Sequence, residues 1–227
     1  FNDTSSSKII LERNASDLAA VIVEPMLGSV GMVPANHDFL QMLRQFTKDN
    51  GIILIFDEVI SFRVGSGGCQ EYYGITPDMT SLGKIIGGGF AVGAFGGRDD
   101  IMDLYDPTTG PQVGHAGTFN ANPITMLAGS VTLEQLTPEV FDNLSEKTQY
   151  LKRGIREACA KQELPVQVTG LGSLFGIHFT DTTINNYRDI TAENTTLRDQ
   201  VFLGLMNEGI LMAPNLVGAI STAISYN

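Results

Sequence analysis

Ile52-Ile53-Leu54-Ile55-Phe56-Asp57-Glu58 is a run of five apolar residues closed by two acids. Such a run is the pattern of a strand buried on both faces, as in a parallel sheet. Its acids then stand at the strand's carboxyl end, where open α/β sheets bind their ligands. Upstream, Leu18-Ala19-Ala20-Val21-Ile22-Val23-Glu24 has the same form. Between the two runs, Phe39, Leu40, Leu43 and Phe46 recur at helical spacing. That spacing predicts a helix over 36–50, ended by Gly51. Strand, helix and strand in this order predict a parallel sheet with a right-handed crossover.

Downstream lies Ser81-Leu82-Gly83-Lys84-Ile85-Ile86-Gly87-Gly88-Gly89-Phe90. A lysine among Leu82, Ile85 and Ile86 is expected to be desolvated, which lowers its pKa and frees its amine to attack a carbonyl. The glycines would let the backbone pass close to a bulky ligand. The same residues also read as a surface lysine at a glycine-rich turn. A phosphate-cradling P-loop is excluded, because Ile85 follows Gly83-Lys84 and Asp78 occupies the position of the first glycine. Asp57 decides between the two readings. Pyridoxal phosphate needs a Schiff-base lysine and an acid beside its pyridinium nitrogen, and Lys84 and Asp57 supply both.

Composition fits an α/β enzyme. The chain has 227 residues, 43% of them hydrophobic, enough for a large domain and a smaller one. A net charge of −11 argues against an electrostatic nucleic-acid footprint. Cys69 and Cys159 have no paired spacing, so a reduced, cytoplasmic compartment is expected. His37, His115 and His178 are scattered and form no metal motif. No stretch approaches a membrane span.

The remaining chain reads in order. Residues 1–17 are polar and serine-rich, a loop or linker, and 25–34 is a glycine-bearing loop. Strands are expected over 79–82 and 93–97, with a short helix opening near Arg98-Asp99-Asp100. Residues 106–117 form a long loop. Residues 121–136 read as a helix with Pro123 in its first turn. A hinge at Leu136-Thr137-Pro138 precedes a long amphipathic helix over 138–162. Strands over 166–168 and 173–179, a helix over 194–208 closed by Gly209, and short strands over 210–212 and 219–223 complete an α+β unit. The expected division is a large domain over 1–137 and a small one over 138–227.

The strings Leu18 to Pro25, Leu54-Ile55-Phe56-Asp57-Glu58-Val59, Ser81 to Gly89 and Gly117-Thr118-Phe119-Asn120-Ala121-Asn122-Pro123 stand in the order and spacing of class III aminotransferases. The chain resembles the glutamate-1-semialdehyde aminomutase branch and its β-amino-acid transaminase relatives. Gly67-Gly68-Cys69-Gln70-Glu71-Tyr72-Tyr73-Gly74 and Thr169-Gly170-Leu171-Gly172-Ser173-Leu174 also resemble that branch. The resemblance implies part of a pyridoxal 5'-phosphate-dependent large domain, with a mostly parallel sheet, plus a small α+β C-terminal domain.

The resemblance also implies roles. Lys84 aligns with the Schiff-base lysine that shuttles a proton, and Asp57 with the acid on the pyridinium nitrogen. Val59 aligns with a residue packed on a face of the ring; on its own it reads as core. Gly117 and Thr118 align with residues that reach the cofactor phosphate from the other subunit, which implies a homodimer with shared sites. Glu24 aligns with the acid of a Glu-Pro motif, a support for the site or a structural cap. Ser61, Arg63 and Tyr73 are near-site candidates, and Arg63 is expected to pair with Glu24 or Glu58 rather than to meet a substrate carboxylate.

Departures from the family pattern set the expected substrate class. Ile60 replaces a glutamine and Ser29 a gating glutamate of the ω-aminotransferases. Ala213-Pro214-Asn215-Leu216-Val217-Gly218-Ala219 lacks the aminomutase glutamate, and Asn215 stands in the approximate place of an arginine of the β-amino-acid enzymes. The expectation is amino transfer between an amino acid or amine and a keto acid or aldehyde. Glutamate-1-semialdehyde 2,1-aminomutase is the alternative, and a non-catalytic fragment that keeps the fold is a further one. The family's phosphate-cradling loop and ring-stacking aromatic precede the Glu-Pro motif, so the chain is expected to be a fragment, inactive by itself.

Overall fold

A computed structural model describes residues 1–110 and 112–226. In chain order the elements are helix α1 (Thr4–Asn14), strands β1 (Ala20–Val23), β2 (Met26–Leu27) and β3 (Val33–Pro34), helix α2 (His37–Asp49), strand β4 (Ile53–Asp57) and helix α3 (Gly68–Tyr73). Strands β5 (Met79–Gly83) and β6 (Gly93–Gly97) follow, then helices α4 (Asp99–Met102), α5 (Pro123–Gln135) and α6 (Pro138–Lys161). Last come β7 (Gln167–Thr169), β8 (Leu174–His178), α7 (Tyr187–Ile190), α8 (Thr195–Asn207) and β9 (Val217–Ala219).

The first sheet has the order β1-β4-β5-β6. The first three strands are parallel and β6 is antiparallel to β5. Leu54 and Phe56 are fully buried against Phe39, Leu40 and Leu43 of α2. The opposite face of β4 is only half-buried at Ile53 and Ile55, and Ile22 of β1 is 64% exposed. The expectation of burial on both faces therefore holds on one, because α2 packs on one face only. At the other end of the strands Asp78 accepts from the Leu54 N–H, from Arg44 and from Arg98. Burial works to raise this carboxyl, but those donors outweigh it and hold it below its ordinary value.

The second sheet is antiparallel, in the order β7-β8-β9. Phe175, Ile177, Leu216 and Ile220 pack against Leu144, Leu151 and Ile155 of α6 and Val201 and Leu205 of α8. A third apolar cluster joins the sheets: Met26 and Met32 of the β2–β3 hairpin meet Val64, Cys69 and Leu174.

Several expectations change. Residues 1–17 are not a loop: Asp3 caps α1 by accepting from the Ser6 N–H, and Leu11 is buried beside α2. A polar helix with one apolar contact leaves almost no periodic signal. The 25–34 loop contains the β2–β3 hairpin. Residues 210–212 form no strand, and the final strand falls at Val217–Ala219 rather than 219–223. Leu216 has φ +53, and β8 already has β7 on its other edge, so the turn at Leu216 decides which triplet pairs. Helix α7, with its Asn186–Asp189 capping box, was not anticipated.

Helix α5 lies directly on the turn that carries Lys84. A Cβ on Gly88, which has φ +58, would collide with the Ala128 carbonyl, and one on Gly129 with the Ile86 carbonyl. Two backbones therefore touch where any side chain would hold them apart. Gly154 of α6, by contrast, faces open space. Gly129→Ala should cost roughly 1–3 kcal/mol by forcing α5 off the turn. Gly154→Ala should add roughly 0.5–1 kcal/mol through helix propensity. Urea denaturation checks both; equal signs would show that α5 has room to move.

Lys152 of α6 is 4% exposed, and its Nζ donates to the Gly170 carbonyl at 2.6 Å. No carboxylate pairs with it among the described residues. Burial first, and the nearby Arg156 charge second, push it down to about 8 from 10.5. Between those two values the unfolded chain holds a proton that the folded chain has released. Unfolding then takes up a proton, so stability rises with pH across that window. Lys152→Met should flatten the rise by on the order of 2–3 kcal/mol. Denaturant titrations of both proteins at the two ends of the window measure it; parallel pH curves would refute the effect.

Candidate active site

Three neighbouring parallel strands present chemistry at their carboxyl ends. Glu24 follows β1, Asp57 ends β4, and Lys84 follows β5. The register Val23↔Phe56 and Asp57↔Ser81 brings these three ends to one edge of the sheet.

Asp57 is held by one oxygen. Its Oδ1 accepts from the Ser81 hydroxyl and from the Val59 N–H, each at 3.1 Å. Its Oδ2 has no partner among the described residues. The carboxylate is thus oriented while keeping one acceptor free. Ser81 was not singled out in the sequence. A polar residue within the β5 run, three before Lys84, was the available signal.

Lys84 differs from expectation. Its side chain is exposed rather than desolvated, while Leu82, Ile85 and Ile86 around it are half-buried. The apolar residues turn inward and the lysine turns out, because the chain bends into a short 3-10 turn over Lys84–Gly87. Lys84 has φ +52, a left-handed backbone that costs a residue with a Cβ roughly 1–2 kcal/mol. Its amine makes no ion pair or hydrogen bond among the described residues. Val59 lies across the preceding residue: a Cβ on Gly83 would stand 3.2 Å from Val59 Cγ1.

The other candidates divide. Ser61 is buried and donates to Glu58 Oε2 at 3.4 Å. Glu58, fully buried, also accepts from the Cys69 and Gln70 N–H groups and from the Gln70 side chain. Burial raises its carboxyl above the ordinary value against the pull of those donors. Glu24 Oε2 accepts from the Gly28 N–H at 2.9 Å and so caps the β2–β3 hairpin. Arg63 pairs with neither acid. Its Nε donates to Ser173 Oγ and its Nη2 to the Ile220 carbonyl, which ties the segment after β4 to the second sheet. The Tyr73 hydroxyl donates to the Ala35 carbonyl, a structural contact.

Gly117 and Thr118 lie on an exposed loop, with the Gly117 carbonyl accepting from the Asn120 N–H. Thr118 has no hydrogen-bond partner among the described residues, and no bond joins it to Asp57 or Lys84. A cleft of about 700 Å3 beside this loop is lined by Phe95, Tyr105, His115 and Phe119, and by neither Lys84 nor Asp57. Among the described residues no cluster of His, Cys, Asp and Glu could hold a metal ion, and no helix is long and apolar enough to cross a membrane. Both cysteines are free.

The residues on the carboxyl edge fit pyridoxal phosphate. An unpaired, accessible amine suits its aldehyde, a carboxylate with one free oxygen suits its ring N–H, and an apolar Val59 suits a ring face.

Comparison with known proteins gives the same direction. The family model for class III aminotransferases matches residues 4–223. A glutamate-1-semialdehyde 2,1-aminomutase from Methanococcus maripaludis is 38% identical over all of this chain and 53% of its own length. A beta-phenylalanine transaminase from Variovorax paradoxus is 42% identical over 94% of this chain and 49% of its own. The crystal structure of an omega-transaminase from Sphaerobacter thermophilus superposes with a TM-score of 0.96 at 44% identity, covering all of this chain and 52% of that one. The chain spans about half the length of each of these relatives. With the family model matched almost from end to end and Lys84 and Asp57 on one sheet edge, this chain belongs to the class III aminotransferases.

Proposed function

We propose that this chain is part of a pyridoxal 5'-phosphate-dependent aminotransferase that moves an amino group between an amino acid or amine and a keto acid or aldehyde. The observation that carries the reading is the pairing of an unpartnered amine on Lys84 with a half-satisfied carboxylate on Asp57, at adjacent carboxyl ends of one parallel sheet. Aminomutase action on glutamate-1-semialdehyde is the second reading, favoured by the relative from M. maripaludis. The absence of a glutamate between Ala213 and Ala219 favours transamination.

Each residue then has a task. When bound, pyridoxal phosphate withdraws electrons from the carbon that bears the amino group. Asp57 Oδ2 holds a proton on the ring nitrogen, while the Ser81 and Val59 donors fix the other oxygen and so aim the carboxylate. Lys84 Nζ would take the proton from the substrate carbon that bears the amino group and return it to the cofactor carbon on the other side of the shared nitrogen, as general base and then general acid. Val59 excludes water from one face of the ring. Glu24 supports the edge indirectly, by capping the hairpin at Gly28. Gly117 and Thr118, both exposed, would reach the phosphate of a second copy, which makes the working unit a dimer. We assign residues 1–137 to the cofactor-binding domain and 138–227 to a small domain, in a cytoplasmic enzyme.

Lys84→Ala in the full-length protein should lower turnover by roughly 10²–10⁴-fold or more. Stability should change by no more than about 0.5 kcal/mol, since the side chain is exposed. Borohydride trapping followed by peptide mapping locates the reactive amine; cofactor attached to any other lysine would refute the assignment. Assays with β-phenylalanine and with glutamate-1-semialdehyde separate the two readings.

The shared site has its own test. Mixing Lys84→Ala with Thr118→Ala subunits should restore activity, because one hybrid site keeps both groups. No recovery after proven subunit exchange would return Thr118 to its own site or to none.

A further inference from the structure

The β2–β3 hairpin is fastened to the second sheet by side chains far away in sequence. The Gly31 carbonyl accepts from Thr169 Oγ1 at 2.5 Å and faces His178 Nε2 at 3.0 Å. The other ring nitrogen, Nδ1, lies 3.1 Å from Glu193 Oε2, and Glu193 Oε1 accepts from Arg198 at 2.7 Å. His178 and Glu193 side chains are 2% and 4% exposed, so this is a buried polar chain whose members are costly to orphan. Gly31 has φ +102, and a Cβ there would stand 2.8 Å from His178 Cε1. The hairpin backbone therefore lies tight against the edge of the imidazole. Beside it, Asn215 Nδ2 donates to the Ser29 carbonyl at 3.0 Å.

On its other side the same hairpin tip touches the site. The Gly28 N–H donates to Glu24, and a Cβ on Gly28 would collide with Ile60. Ile60 is three residues beyond Asp57 and adjoins Val59. Contacts thus run without a break from Arg198 of α8, through Glu193 and His178, across the tip, to the carboxyl edge. They arrive at the ends of β1 and β4, one strand away from Lys84.

We propose that His178 and Asn215 are positioning residues for the substrate side of this site. They hold the 28–32 tip against Glu24 and Ile60 and so fix a wall that the amino substrate meets. Neither bonds to Asp57 or Lys84, so loosening the tip weakens substrate binding and leaves proton transfer at Lys84 in place. The role in binding rests on the aminotransferase reading; the fastening of the tip does not.

Two measurements on the full-length protein with bound pyridoxal phosphate separate these parts. In His178→Ala, hydrogen exchange at the Gly28–Met32 amides should speed up by roughly tenfold or more, because local opening becomes easier. KM for the better of the two probes above should rise about tenfold, equal to about 1.4 kcal/mol, with kcat within about twofold and the cofactor absorbance unchanged. His178→Gln, which keeps a donor toward Gly31, should recover most of the protection. Asn215→Ala removes a half-buried side chain outside the apolar core, and should give the same pattern more weakly even where His178→Ala fails to fold. Unchanged exchange at the tip in folded variants overturns the fastening. Faster exchange with unchanged KM, or a fall in kcat alone, overturns the positioning role. A wild-type protein that binds no pyridoxal phosphate overturns the aminotransferase reading and the role in binding with it.

Discussion

Parallel pairing of β1, β4 and β5 is the constraint on which the site depends. In a parallel ladder all strands end on the same side, so residues far apart in sequence arrive at one edge without further design. Asp57 and Lys84 are 27 positions apart in number, yet the Asp57↔Ser81 register leaves only the last turn of the chain between them. Shifting β5 by one residue would turn Ser81 away from Asp57 and carry Lys84 with it. Asp78 guards against such a slip from the opposite end, by binding the Leu54 N–H of the neighbouring strand and two arginines.

Around that edge, buried polar groups do structural work. Glu58, next to Asp57 in sequence, faces the other way, and its carboxylate receives the first N–H groups of α3. Alternation along the strand separates an acid left with a free oxygen at the edge from an acid buried for folding. Arg63 reaches to the second sheet and His178 reaches from it to the hairpin, and each ends on a backbone carbonyl, at Ile220 and Gly31. A carbonyl tied in this way fixes the backbone directly, although at Gly31 the close imidazole and φ +102 still demand glycine.

Much of this was legible in the sequence. The β4 run and the α2 periodicity each carry a strong local signal, and both fall where expected within a residue or two. The needs of pyridoxal phosphate pair Asp57 with Lys84 from residue chemistry, and the resemblance adds the same pair. What could not be read was orientation. Apolar neighbours around Lys84 implied burial, but a left-handed residue at a strand end turns its side chain away from its neighbours. Arg63 looked like a partner for nearby acids; its bonds span 110 and 157 positions, a range no local pattern reports. Helix α1 escaped notice because it has one buried residue, and the 210–212 triplet misled because three apolar residues pair only where an edge is open.

The backbone at Lys84 has a consequence for anyone altering this protein. At φ +52, glycine or asparagine would fit the local geometry better than lysine, and the exposed amine contributes no packing to offset the difference. A screen that rewards thermal tolerance alone would therefore drift toward replacing Lys84. With the role proposed for Lys84, selection for chemistry and selection for durability pull in opposite directions at position 84, and libraries built on this scaffold should hold it fixed.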